Sequence, residues 1–230
     1  MLRTLLSGSL SFEEAIMEIL AVAMVVFLIL PIHELAHGFI AYKLGDPTAK
    51  NMGRLRFNPI AHIDPIGAIM ILFVGFGWAK PVPVNPMYFK NPKKDMALTA
   101  LAGPVSNLIC AVIGSLLHGI FAILLTMNII PYFVYNLFYL FISYFVAINV
   151  SLAVFNLIPI PPLDGSKILF AFLPNHIVEK AYQYEQITYM ILIILIFAGV
   201  LSGPLSLITS SLTNGIFQLG LLPFNLFFRG

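Results

Sequence analysis

Charge is scarce in this chain and cysteine nearly absent. Of 230 residues only 10% are Asp, Glu, Lys or Arg, and the one cysteine is Cys110. A lone cysteine excludes an intramolecular disulfide and a zinc site built from several cysteines. It reads instead as a small apolar residue on a helix. Soluble domains carry about 25% charged residues, so this share speaks against an ordinary water-soluble domain. The net charge of +2 is small, and no nucleic-acid partner is expected. What the chain has in excess is apolar surface: 60% hydrophobic residues and a mean hydropathy of +0.96. That composition belongs to a polytopic membrane protein whose first partner is the lipid bilayer.

Within this apolar chain, His33-Glu34-Leu35-Ala36-His37 stands out. On a helix, residues four apart lie about 40° from each other around the axis. His33 and His37 can therefore both offer an imidazole nitrogen to one Zn²⁺. Glu34, one step round, is placed to act as a base toward water. The residues leading in, 19–32, are almost wholly apolar. Ionisable groups in such a span are expensive and mark function. A cleavable signal peptide is not expected, because the first long apolar run leads straight into the motif.

Taken in order, residues 1–12 form a short apolar lead-in, and Glu13, Glu14 and Glu18 open a helix at its positive end. Residues 17–42 are long enough to span. A basic loop follows with Lys43, Lys50, Arg54 and Arg56. Residues 66–78 are apolar but too short to cross, which predicts a re-entrant or interfacial segment. The prolines of Lys80-Pro81-Val82-Pro83-Val84-Asn85-Pro86 enforce an extended path, an edge on which a substrate strand could be added. Further spans are expected at 96–127 and 132–158. Pro159, Pro161 and Pro162 then break the helix ahead of Leu163-Asp164-Gly165. A short helix over 166–173, a polar stretch to Glu185 and apolar segments at 187–201 and 205–228 complete the chain.

The expected fold is thus an all-α polytopic membrane protein. It has about five full transmembrane helices, a short re-entrant or interfacial segment and a small extended, β-like stretch associated with the membrane. Residues 1–230 form one domain, with a catalytic core over about 17–173 and additional C-terminal spans over about 187–228. If the span before Lys43 exits into the cytoplasm, the basic residues from Lys43 to Lys94 fall inside with Lys167, Lys180 and Arg229. Only Arg3 remains outside, as the positive-inside rule prefers. His37 then lies about 9 Å within the inner end of its helix, and Asp164 arrives near the same level.

A catalytic zinc usually takes three protein ligands and keeps one position open. His118 lies mid-span, where a hydrogen-bonded buried histidine is the commoner case. His176 reads as solvated, and His62 and Asp64 as polar groups near the membrane that could shape substrate access. Asp164, apposed to the forced break, is the best third ligand. Transport is the main rival function, since broken helices and midplane ionisable groups also build permease sites. No internal repeat supports it, and it gives Glu34 no purpose. A relative that keeps zinc without catalysis is the other.

Over residues 32–168 the chain resembles the site-2 protease family of intramembrane zinc metalloproteases, in the compact prokaryotic form without a PDZ domain. The resemblance rests on His33-Glu34-Leu35-Ala36-His37, on Ala102-Gly103-Pro104-Val105-Ser106-Asn107, and on Asn156 with Leu163-Asp164-Gly165. It implies one Zn²⁺ per chain, Asp164 as third ligand, Glu34 as catalytic base, and Asn156 as a residue holding substrate or oxyanion. It also implies transmembrane protein or peptide substrates, a cell-membrane location and a site nearer the cytoplasmic face. Asn156 is separated from Pro159 by two residues where the family often pairs Asn with Pro directly. Asn107 and Asn149 compete for its role, although packing between helices suits both.

Overall fold

The computed structural model describes residues 11–74 and 77–224. Residues 1–10 of the expected lead-in, with Arg3, and the end of the last apolar segment, with Phe228 and Arg229, lie outside the described residues. Among the described residues β structure is limited to one isolated antiparallel bridge, between Ile63 and Ala79.

Helix α1 (Phe12–Met24) starts where the sequence supplies a reciprocal cap. The Ser11 hydroxyl accepts from the Glu14 N–H at 3.2 Å, and the Glu14 carboxylate accepts from the Ser11 N–H at 2.7 Å. A π turn over Val25–Ile29 joins α1 to α2 (Leu30–Lys43). Pro31 follows at once. It has no N–H to donate, and its ring conflicts with a carbonyl one turn back, so a wider turn ahead of it eases the strain.

Short helices α3 (Thr48–Asn51), α4 (Pro59–His62) and α5 (Pro65–Val74) follow. The segment expected to be re-entrant or interfacial brings its two ends together. A Cβ at Gly67 would strike the Trp78 backbone, and one at Gly77 would strike the Gly67 carbonyl. The Lys80 N–H closes the base of this loop by donating to the His62 carbonyl at 2.8 Å. Residues 80–85 form neither helix nor strand and lead into a 3₁₀ turn at Pro86–Tyr88, with Asn85 extended ahead of it. We refer to residues 80–88 as the strap.

Helix α6 (Pro92–Thr126), 35 residues and about 52 Å long, is the hub of the fold. It packs against α2, α7 (Tyr132–Asn156), α8 (Asp164–Phe170) and α11 (Ser202–Leu221). Small residues permit these contacts: Gly114 faces Phe145 and Val146 of α7, and Gly220 of α11 lies against Ser115. Ala21, Val25, Ile29, Ala111, Val146 and Val150 form the buried centre. Between α8 and α11 lie α9 (Asn175–Gln183) and α10 (Glu185–Phe197).

Among the described residues four segments are long and apolar enough to cross a membrane: Phe12–Lys43, Pro92–Thr126, Tyr132–Asn156 and Ser202–Phe224. The fifth expected span corresponds to α10, which is apolar but only 13 residues long. At about 20 Å it falls short of the roughly 30 Å hydrocarbon core. The polar stretch before it is helical, as α9, and the short helix after the proline break begins at Asp164, two residues earlier than expected.

Candidate metal centre

His33 and His37 lie one turn apart on the buried face of α2, as their spacing predicts. Opposite them, α6 presents Gly103. A Cβ there would collide with both imidazole rings, so only glycine lets the helices close over the pair. Asp164 arrives from the end of α7. The proline-rich break turns the chain back so tightly that a Cβ at Gly165 would strike the Leu157 and Ile158 carbonyls. Leu163 is extended, and Asp164 becomes the first residue of α8.

Three atoms converge as a result. The two Nε2 atoms are 3.0 Å apart, and Asp164 Oδ2 lies 3.3 Å from His33 Nε2 and 3.2 Å from His37 Nε2. Ligands about 2.0–2.1 Å from a tetrahedral zinc stand about 3.3 Å from one another, so the triangle has the size of such a site. The protonation pattern points the same way. His37 Nδ1 donates to the Thr99 carbonyl at 2.7 Å, and His33 Nδ1 donates to Asn107 Oδ1 at 3.2 Å. In the neutral rings both Nε2 lone pairs then face each other and a carboxylate. Three buried acceptors pointed at one spot repel without a cation between them. The donor set therefore fits a metal ion. Among the described residues this is the one cluster of three His, Cys, Asp or Glu groups within metal-binding reach.

The remaining predicted residues occupy different surroundings. The Glu34 carboxylate accepts from the Val82 N–H of the strap at 2.8 Å. Lys167 approaches the other oxygen of Asp164 at 3.5 Å. Asn156 donates its amide to the Leu152 carbonyl of its own helix at 3.0 Å. Asn149 does the same with Phe145, whereas Asn107 contacts the metal centre itself. His118 packs among Tyr135, Tyr139 and Phe217, 3.1 Å from the Tyr135 hydroxyl, and takes no part in the cluster. His176 is exposed on α9.

His62 and Asp64 support the loop that follows them. His62 is fully buried and lies 3.2 Å from the Arg56 carbonyl, while Asp64 accepts from the Gly67 N–H at 2.9 Å. Burial pushes the His62 imidazole below its ordinary value, against the hydrogen bond to Arg56 and with help from nearby Arg54. The strap spends its own donors. Lys80, Val82 and Asn85 all give their N–H groups to this chain, and its three prolines have none. An added strand would meet few donors there.

Comparison with known proteins places these features in a group. Peptidase family M50 matches residues 117–199, the part holding Asn156 and Asp164. The chain is 44% identical over 167 residues to the Bacillus subtilis protein named "Putative zinc metalloprotease YwhC", which covers 71% of this chain and 74% of that one. It is 26% identical over 179 residues to "Putative zinc metalloprotease Rip2" of Mycolicibacterium smegmatis, covering 74% of this chain. Its identity to the Mycobacterium tuberculosis protein of that name is 24% over 178 residues, covering 75%. The matches take in 64% of each Rip2 protein, just under two thirds of their length. No solved structure matches the chain.

Proposed function

The chain belongs to the M50 peptidases and is a zinc metalloprotease, and we propose that it cleaves peptide bonds within or beside transmembrane segments of membrane proteins. The observation that carries this reading is the convergence of His33, His37 and Asp164 inside a set of membrane-length helices. In this reading those three side chains hold one Zn²⁺ per chain. The ion supplies Lewis-acid activation of water and of the scissile carbonyl.

The protein's own groups do the rest. Thr99 and Asn107 fix the ring orientations, and α6 and α8 exclude bulk water from the far side of the cluster. Glu34 takes the proton of the attacking water on a carboxylate oxygen and delivers it to the leaving nitrogen as the C–N bond breaks. Asn156 is the candidate to hold the substrate carbonyl or developing oxyanion, and must turn from Leu152 to do so. The substrate has to present its bond outside a hydrogen-bonded helix, because helical carbonyls are already engaged. With Lys43, Lys50, Lys90, Lys94 and Lys180 on one side, that side is cytoplasmic in this reading.

Zinc content of detergent-purified protein tests the proposal, measured beside cleavage of a reconstituted transmembrane peptide. Wild type and Glu34→Gln are expected to hold about one zinc per chain, and His37→Ala and Asp164→Ala to lose it. Glu34→Gln should lose turnover while keeping the metal. Zinc retained by Asp164→Ala would overturn the ligand set.

A further inference from the structure

The strap reaches the motif helix through a backbone group, and its geometry points to a role beyond covering the site. The N–H of Val82 meets Glu34 Oε2 at 2.8 Å. The carbonyl of the same rigid peptide group, Pro81 O, accepts from Arg54 Nη2 at 3.3 Å, and Lys80 O accepts from that nitrogen at 2.8 Å. One peptide plane is thus held at both ends, by a guanidinium on its oxygen and a carboxylate on its nitrogen. A cation on the carbonyl polarises the peptide and strengthens the N–H as a donor.

The surroundings fix that plane further. Pro81 and Pro83 flank Val82, so the backbone on both sides is confined to extended conformations, and Val82 carries the one N–H of the three residues. The Val82 side chain is buried over Gly38, four residues after Glu34 on the same face of α2. A Cβ at Gly38 would crowd Val82 and Leu55, at 2.9 and 2.8 Å, and lift the strap from the helix. Asn85 ties down the far end through its N–H to Asp46 Oδ2 at 2.7 Å.

We propose that the Pro81–Val82 peptide, braced by Arg54, is the positioning element for the Glu34 carboxylate. The inference rests on Glu34 being the base. A carboxylate on a three-torsion side chain samples many orientations; a charge-assisted hydrogen bond to one oxygen fixes it and leaves Oε1 for the proton. Val82 acts through its backbone and Arg54 through the strap; both are positioning residues.

Val82→Pro removes the N–H in a segment already shaped by prolines, and Val82→Ala keeps it while losing packing. Val82→Pro is expected to lower kcat about 10- to 100-fold more than Val82→Ala, the range of one charge-assisted hydrogen bond. KM should stay within about twofold, with zinc content at the wild-type level. The Glu34 carboxylate stretch, isolated as the infrared difference between wild type and Glu34→Gln, should shift in Val82→Pro and not in Val82→Ala.

In a Glu34→Asp background, whose shorter side chain no longer reaches the amide, the extra cost of Val82→Pro should largely vanish. If Val82→Pro loses zinc, α-hydroxyvaline at position 82 removes the N–H alone, and the same criteria apply to that ester. Equal losses in the two valine variants, an unshifted carboxylate band, or an undiminished cost in Glu34→Asp would each overturn the proposal. Wild-type turnover in Glu34→Gln would instead overturn the reading of Glu34 as base, an outcome visible without any strap variant.

Discussion

The side-chain oxygen of Asn107 lies 3.2 Å from Nδ1 of His33, and both residues are fully or nearly fully buried. The contact joins α6 to α2 across 74 positions of sequence. It holds the proton of His33 on Nδ1 and so turns the Nε2 lone pair toward His37 and Asp164. The Thr99 carbonyl does the same for His37 about two helical turns earlier on α6. A single helix therefore sets the tautomer of both imidazoles.

Asn107→Ala should for that reason weaken metal retention without removing any ligand. Loss of such an orienting partner costs about 10- to 100-fold in metal affinity. Titration of the purified protein with a competing zinc chelator measures this directly. Unchanged affinity would mean that ring packing alone sets the orientation of His33.

Gly103 makes a sharper prediction. Its hydrogen occupies the space that a Cβ would contest with His33 and His37. The rings are held at their Nδ1 ends and cannot retreat without giving up Asn107 and Thr99. Gly103→Ala is expected to abolish stoichiometric zinc binding. Gly215→Ala on α11, where a Cβ would meet nothing within 4 Å, should leave zinc content at the wild-type value. Equal zinc in both variants would refute the steric argument.

The parts of the site visible in the sequence are those that residue type and spacing encode. His33 and His37 share a helix face because of the α-helical period, and Asp164 is marked by the three prolines that break the chain beside it. Asn107 had no such mark. An asparagine among small residues on an apolar helix reads as packing, and its contact with His33 exists only once α6 lies on α2. The Val82 amide was less visible still, since every residue but proline has one. The span count depended on length. α10 has the composition of a crossing helix, but its break at Phe197 is set by the chain that follows. The absence of helix over 80–85 is legible from its prolines; its lack of a strand partner is not, because the donors go to Glu34, Asp46 and His62.

Asp46 supplies a test of how much the strap depends on its far anchor. Its carboxylate is fully buried, accepting from the Thr48 N–H at 2.9 Å, the Thr48 hydroxyl, and the Asn85 N–H at 2.7 Å. None of the three metal-centre residues shares these bonds. Asp46→Ala strands the Asn85 amide, and losing one charge-assisted hydrogen bond costs about 2 kcal/mol. If that cost falls on local opening, the open strap is populated about 30-fold more often. Trypsin cleavage at Lys90, limited by that opening, should accelerate by a similar factor while zinc content holds. Cleavage at the wild-type rate would mean that Arg54, Glu34 and the buried Val82 side chain retain the strap without Asp46. A loss of zinc together with faster cleavage would mean that the loop and the metal centre open as one unit.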